Sequence, residues 1–524
     1  MMTSVQPIAS DPILAPADIA IDYEVGVIGA GFAGLVAGLT LLEQGRTSMV
    51  ILERGSDVGG VWRDTLYPGC ACDIRSNLYS IAKKPNPDWR ATYATQPEIF
   101  AYLQGVAADA GLLPYLRFNT EVTEARFLEE AGCWRLTDQA GGVLHVRALI
   151  LALGPLNRPS TPPIEGMDKF EGTICHSSAW DPSFDLTGKR VAVVGAGASA
   201  VQIVPNIAGI VEHLTVFQRS APWVLPRGGR DTTALERGLF RRLPFVQALV
   251  RSAIYWAMEG VGMAFFGATW LQKLLAAVAM RKLRKEVRDP ATRAALTPNY
   301  AVGCKRMTVS DDYYPAFNRP NVTLVTEPIV ALTPGGVWTR DDQEHAVDHI
   351  VFATGFVVAD PDDYLRVVGV GGQVLSELWA RTGAQAHRGV TISGFPNLAM
   401  LLGPNSGLSY ASAVHVVESQ VEYVMKYLDA LNAAGAGAAL DVKAQVQEAY
   451  NVSLQAKLEG TVWASGCNSW YINRQGRNTA IYPGPTSEYR KLMRRFDPQS
   501  YTVWRPSPSR REGWGADAPA EAQA

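Results

Sequence analysis

Two glycine-rich turns, each placed 24 residues before a charged side chain at the end of an apolar run, constrain this chain more than any other feature. The first, Gly29-Ala-Gly31-Phe-Ala-Gly34, follows the run Val25–Ile28 and opens a helical pattern through Leu42. The next apolar run, Met49–Leu52, ends in Glu53, near the spacing at which an acid accepts hydrogen bonds from an adenosine ribose. Glycines in such a turn let backbone N–H groups approach a pyrophosphate at a helix N-terminus, where the helix dipole favours negative charge. The alternative is a turn that only packs a helix against a strand.

The second turn lies in K-R-V-A-V-V-G-A-G-A-S-A-V-Q, residues 189 to 202, with Gly195 and Gly197 after a strand pattern and Ser199-Ala200 where a third glycine would stand. Its partner run ends in Arg219 followed by Ser220, so a cation occupies the position that holds an acid in the first unit. A guanidinium there suits a 2′-phosphate, which points to NADP rather than NAD; a surface arginine without a ligand is the alternative. Two nucleotide sites of opposite character in one chain imply FAD together with NADPH, since a flavin can accept a hydride and then react with a second substrate.

Residues 148 to 154 (A-L-I-L-A-L-G) and 348 to 356 (D-H-I-V-F-A-T-G-F) read as return strands, one for each turn. The expected fold is therefore α/β, with two interleaved Rossmann-like dinucleotide-binding domains and a helical insertion. The FAD domain is expected over 21–160 and 380–500, a linker over 161–185, and the NADP domain over 186–355 with its insertion at about 225–300. A loose arm at 1–20 and a Pro-, Ser- and Ala-rich disordered tail at 505–524 complete the expectation.

Composition narrows the function classes. With 48 Lys+Arg against 50 Asp+Glu there is no basic surplus for nucleic acid. The six cysteines form neither a secreted framework nor paired zinc knuckles, so a reduced, cytoplasmic chain without metal is expected. From Ser252 to Leu271 the chain carries only Glu259 as a charge over a bilayer's length. We read it as a buried helical insertion. An interfacial helix admitting an apolar substrate from a membrane is the less favoured reading, and Glu259 at the centre argues against a span.

Phe170-x-Gly172-x-x-x-His176-x-x-x-Trp180-Asp181 resembles the fingerprint of the type I Baeyer–Villiger monooxygenases, whose N- and S-oxygenating sisters usually lack the tryptophan. Gly60-V-Trp62-R-D-T-L-Tyr67-Pro68-Gly69-C-A-C-Asp73 is similar to the family loop beneath the flavin, and residues 305 to 322 resemble the block with the family's active-site arginine. The I-N-R-Q-G-R-N-T-A-I-Y-P-G stretch (472 to 484) departs from many members and looks closer to the subgroup acting on aryl ketones such as 4-hydroxyacetophenone.

The resemblance implies an NADPH- and O2-dependent flavoprotein that inserts oxygen beside the carbonyl of an apolar ketone through a C4a-peroxyflavin, giving an ester or lactone. Arg306 takes the catalytic role, with Asp73 as its carboxylate partner. A fixed cation stabilises the developing anions, and arginine cannot give up its proton; a structural ion pair is the alternative. Val61, Trp62, Asp73, Tyr79 and Val122 are implied on the flavin side. Ser199, Gln202, Arg219, Ser220, Lys305 and Trp470 are implied on the nicotinamide side, Trp470 in a closing loop. The turn at 403 to 410 (G-P-N-S-G-L-S-Y) resembles a second flavin contact.

Three rivals remain at this level: N- or S-oxygenation, a disulfide reductase built on Cys70 and Cys72, and a flavoprotein that binds cofactors without turnover. The C-A-C spacing argues against the second. His176 has no histidine partner at ligand spacing, so it is expected to work mechanically, bonding across the linker between the two domains.

Overall fold

The structure is a computed structural model that describes residues 19–358, 365–467 and 469–505. Most of the expected arm and nearly all of the expected tail lie outside the described residues. The first unit begins with β1 (Tyr23–Ile28), α1 (Phe32–Glu43) and β2 (Met49–Leu52), followed by β3 (Leu116–Arg117), β4 (Val122–Leu128), β5 (Cys133–Asp138) and β6 (Val143–Leu151). Every side chain of β2 is buried, as a parallel strand covered on both faces requires. The sheet runs β4-β5-β6-β1-β2-β3; β6 returns parallel to β1 with Val25 opposite Ala148, as the run 148 to 154 predicts.

The second unit starts earlier than expected. Thr173–His176, inside the stretch read as a linker, is an edge strand, β7. It is followed by β8 (Arg190–Val194), α2 (Ala198–Ile207) and β9 (His213–Phe217). With β10 (Val322–Val325) and β11 (His349–Phe352) these make a parallel five-stranded sheet, order β10-β9-β8-β11-β7. The return strand β11 runs parallel to both β8 and β7. The chain then rejoins the first sheet through β12 (Arg366–Val368) beside β4, ahead of the expected residue 380, and β13 (Leu398–Met400) beside the end of β6. The fold is thus α/β with two interleaved dinucleotide-binding units.

Gly29 and Gly195 play the same part in the two turns. Their φ angles are 104° and 127°, and a Cβ on either would strike the carbonyl of Ala152 or Ala353, the residue just past each return strand. The turn and the return strand are held in close backbone contact at these points.

Between the strands of the second unit the chain forms α3 (Ala234–Arg242), α4 (Pro244–Gly262) and α5 (Thr269–Glu286). The capping box Thr233/Glu236 starts α3. The apolar segment 252 to 271 does not form one straight rod: the chain turns at Gly267, whose φ is 102°, and the two long helices meet at 108°. No single helix among the described residues is long and apolar enough to cross a membrane. Only the inner side of the insertion is buried, through Tyr255, Glu259 and Phe265. Large apolar side chains on its outer side are exposed, which corrects the expectation of a buried insertion. A long helix of the first unit, α6 (Ala413–Ala433), packs along α1.

Candidate active site

The first glycine turn opens onto a cavity lined by Gly29, Gly31, Glu53, Val61, Trp62 and Tyr79, with Val122 at one side and the start of α6 at the other. Gly31 caps α1, and a Cβ there would project toward Gly60 across the cavity, within 3.8 Å of its Cα. The space at the helix N-terminus is therefore kept clear by a missing side chain on each wall, a cradle that fits the pyrophosphate and flavin of FAD. Gly34 does not line it; it lets α1 pack onto the Gly29 carbonyl. The Trp62 indole N–H donates to the Tyr79 hydroxyl (3.0 Å), and the two rings meet edge to face at 5.7 Å, which makes one wall rigid. Leu402, just before the turn at 403 to 410, also lines the cavity.

Glu53 is buried, and its carboxylate already accepts from Ala30 N (2.8 Å), Gly55 N (2.8 Å) and the Arg63 guanidinium (2.9 Å). A carboxylate has about four acceptor positions, so room for a ribose hydroxyl remains. Arg63 occupies a variable position of the flavin loop, and nothing in the sequence singled it out. Burial lowers its pKa, but Asp64 and Glu53 outweigh that effect and hold it above the ordinary value.

Asp73 does not line this cavity. It meets Arg306, 233 residues later, in a two-pronged ion pair with Nε to Oδ2 at 2.9 Å and Nη2 to Oδ1 at 2.7 Å. Arg306 Nη1 also donates to the Ser409 carbonyl at 3.3 Å, so the guanidinium plane is fixed from two sides. The Asp73 charge raises the Arg306 pKa further, against the effect of burial. Tyr471 is fully buried beside this pair, and its phenol pKa is driven up by burial, so it stays protonated. Its hydroxyl has no partner among the described residues. Tyr471 and the Ser409 carbonyl had no signal in the sequence beyond adjacency to Trp470 and membership of the 403 to 410 turn.

On the second unit, Lys305 Nζ donates to Ser220 Oγ (2.9 Å) and lies 4.7 Å above the Tyr300 ring. Burial lowers the Lys305 pKa, and the nearby Arg219 charge lowers it again. Gly197 caps α2, and a Cβ there would meet nothing within 4 Å: the mouth of the second turn is open. These features fit a nicotinamide dinucleotide carrying a 2′-phosphate. Ser199 stands in the first turn of α2 beside the Tyr67 phenol. Gln202 turns away from the turn: it accepts from the Tyr67 hydroxyl and donates to the Ala71 carbonyl, both at 2.8 Å, tying the flavin loop to the second unit. Trp470 is partly exposed, with its ring centroid 4.3 Å from that of Tyr471.

The cysteines divide differently from expectation. Cys70 and Cys72 are unpaired and buried, burial pushing the Cys70 thiol up to about 11 and the Cys72 thiol higher, the opposite of what thiol exchange needs. Cys304 and Cys467 are disulfide-bonded, 163 residues apart, so the expectation of a fully reduced chain does not hold. The bond joins the Lys305–Arg306 segment to the loop of Trp470, a pairing that sequence spacing cannot signal.

In the fingerprint, Phe170 and Trp180 are buried in separate apolar clusters of the second unit. Gly172 has no room for a Cβ against the Asp348 carbonyl. His176 Nε2 faces the Gly355 carbonyl at 3.0 Å while Nδ1 accepts from Ser178 N at 3.1 Å, which fixes the Nε2–H tautomer. Ser178 and Phe356 both line the flavin-side cavity. Burial lowers the His176 pKa.

Comparison with known proteins agrees with this geometry. Residues 22–365 match the family described as flavin-binding monooxygenase-like. A Baeyer–Villiger monooxygenase of Streptomyces coelicolor is 42% identical over 495 residues, 94% of this chain and 95% of the relative. One from Pseudomonas aeruginosa is 41% identical over 91% of each chain. Among solved structures, an oxidized steroid monooxygenase bound to NADP superposes with a TM-score of 0.80 at 31% identity, covering 92% of this chain and 99% of the other. The closed form of cyclohexanone monooxygenase superposes with 0.82 at 26% identity, covering 93% and 100%. The chain belongs to the flavin-binding monooxygenase-like family and, within it, to the Baeyer–Villiger monooxygenases. Its cofactors are FAD and NADPH.

Proposed function

We propose that the protein converts apolar ketones into esters or lactones at Arg306, with FAD in the cavity of the first unit and the adenosine 2′-phosphate of NADPH held by Arg219, Ser220 and Lys305. The observation that carries this reading is the two-pronged Arg306–Asp73 pair, adjacent in the chain to the cation of the nucleotide cluster. When bound, FAD takes a hydride from NADPH and provides the route by which one oxygen atom of O2 reaches the substrate.

The chain's own residues do the rest. Arg306 keeps a permanent positive charge where the ketone oxygen becomes anionic, and it cannot act as a proton donor. Asp73 and the Ser409 carbonyl hold the guanidinium in place beforehand, so no reorganisation is required as charge develops. Asp73 is thus a positioning residue. Phe265 stacks between Tyr410 and Trp463 with centroids 5.6 and 5.9 Å away, an aromatic stack next in the chain to Ser409 whose apolar character favours an apolar ketone. Trp470 covers the nicotinamide side, and His176 couples the second unit's return turn to the flavin-side cavity.

The test is incubation of FAD-loaded enzyme with NADPH, isotopically labelled O2 and a panel of linear, cyclic and aryl ketones. The expected product is an ester or lactone with one labelled oxygen atom. Hydrogen peroxide without organic product, or sulfoxide from thioethers with no ester from any ketone, would overturn the reading.

A further inference from the structure

The outer surface of the helical insertion carries a row of large apolar side chains that the oxygenation site does not use. On α4, Phe245, Leu249 and Trp256 recur at intervals of four and seven residues and so share one face, which Met263 continues just past the helix end; the first three are 61%, 63% and 62% exposed. On α5, Trp270, Leu274 and Val278 do the same, with Trp270 at 69%. The two rows meet at the bend around Gly267, which places Met263 and Trp270 on either side of the corner.

Charge sets this surface apart from an ordinary exposed patch. Between Leu243 and Gln272 the only charged residues are Arg251 and Glu259, and both turn inward. Arg251 donates to the carbonyls of Asn77, Leu78 and Ser80, and Glu259 accepts from Thr486 N and the Tyr410 hydroxyl. Within residues 234–288 the exposed charges beyond the apolar row are cationic, with Arg242 on one border and Lys273, Arg281, Arg284 and Lys285 on the other. Residues 234–288 hold ten Arg and Lys against three Glu, in a chain whose net charge is −2.

We propose that this face docks onto the surface of an anionic phospholipid bilayer, with α4 and α5 lying in the interface and the cations on the headgroups. Tryptophans with an apolar body and a polar N–H suit that depth, and cations bordering an apolar stripe are attracted to anionic lipid. A symmetric seam between two copies of the chain would instead set the same cationic borders beside each other. The inner side of the insertion is held by Arg251 and Glu259 as described, so docking does not require the helices to leave the body of the protein.

FAD-loaded protein is floated with vesicles of equimolar phosphatidylcholine and phosphatidylglycerol, and separately with phosphatidylcholine alone, at low ionic strength. Recovery with the anionic vesicles is expected to exceed that with neutral ones by about tenfold or more, the scale set by a few basic residues near a charged surface. Trp256→Glu/Trp270→Glu, and separately Lys273→Glu/Arg281→Glu, are expected to lower recovery about tenfold while thermal stability and NADPH oxidation with a water-soluble ketone stay unchanged. Wild-type protein that fails to float with anionic vesicles, or variants that float equally well, overturns the proposal. So does light scattering that shows a dimer converted to monomer by the tryptophan variant without vesicle binding, because the face is then a seam between copies. Binding is read without turnover, so failure here is separable from failure of the oxygenation reading.

Discussion

Replacing Arg306 by alanine separates two things the ion pair could do: support the fold or drive the oxygen transfer. Two unit charges about 4 Å apart at an effective dielectric of about 20 interact by about 4 kcal/mol, so losing the cation should slow ester formation roughly a thousandfold. The same change strands Asp73. Breaking a fully buried pair costs about 3–5 kcal/mol, but these side chains keep 28% and 22% of their exposure, so about 2 kcal/mol of stability is the expected loss. Reduction of the flavin by NADPH, followed anaerobically by absorbance, should stay within about tenfold of wild type, since Arg219, Ser220 and Lys305 are untouched. The double variant Arg306→Ala/Asp73→Ala removes the stranded carboxylate, and it should recover stability without recovering ester formation. Rapid ester formation by the double variant would show that the pair is structural and that Arg306 is not where the oxygen transfer is stabilised.

Arg219→Ala/Lys305→Ala should raise the KM for NADPH about 10- to 100-fold through lost charge-assisted hydrogen bonds while leaving that for NADH nearly unchanged; equal rises would remove the 2′-phosphate assignment. His176→Ala should consume more NADPH per ester formed, measured as the ratio of the two, because the bond to the Gly355 carbonyl is lost; unchanged coupling would remove its mechanical role. Burial first, and then Arg388, lowers the His387 pKa to about 4, while burial and then Arg251 and Arg490 lower that of His415 to about 3. Both are neutral when folded, and both gain a proton more readily when unfolded. Their contribution is therefore complete above about pH 6.5 and declines as pH falls toward 4, by about 1.4 kcal/mol per pH unit for each histidine. His387→Phe should flatten the fall in Tm between about pH 7 and about pH 5, and an unchanged slope would sink the assignment. Reducing the Cys304–Cys467 bond should speed amide exchange around Trp470, measured by mass spectrometry; identical exchange would show that the bond does not restrain that loop.

The sequence by itself determined the two glycine turns, the charged residues Glu53 and Arg219 just past the strand that follows each, both return strands and the family. These depend on short-range requirements: a glycine with positive φ at Gly29 and Gly195, an apolar strand on either side, and a helix that begins at once. The pairing of Asp73 with Arg306 was readable only through family resemblance, since 233 residues separate them and neither residue type is unusual alone.

Only the tertiary structure decided which side chains satisfy one another. It placed Arg63 on Glu53, Gln202 on Tyr67, Tyr471 beside Arg306, and Cys304 on Cys467. It also made Thr173–His176 a strand of the second sheet, because β11 offered that segment an edge to pair with. The insertion shows the limit most plainly. Its composition measures how apolar the segment is, but which apolar side chains face inward depends on where α4 and the turn after it are pinned by Arg251, Glu259 and Phe265, contacts with residues far away in the chain. Local sequence sets backbone conformation through sterics and hydrogen bonding within a few residues, whereas burial is a property of the assembled surface and exists only once distant segments meet.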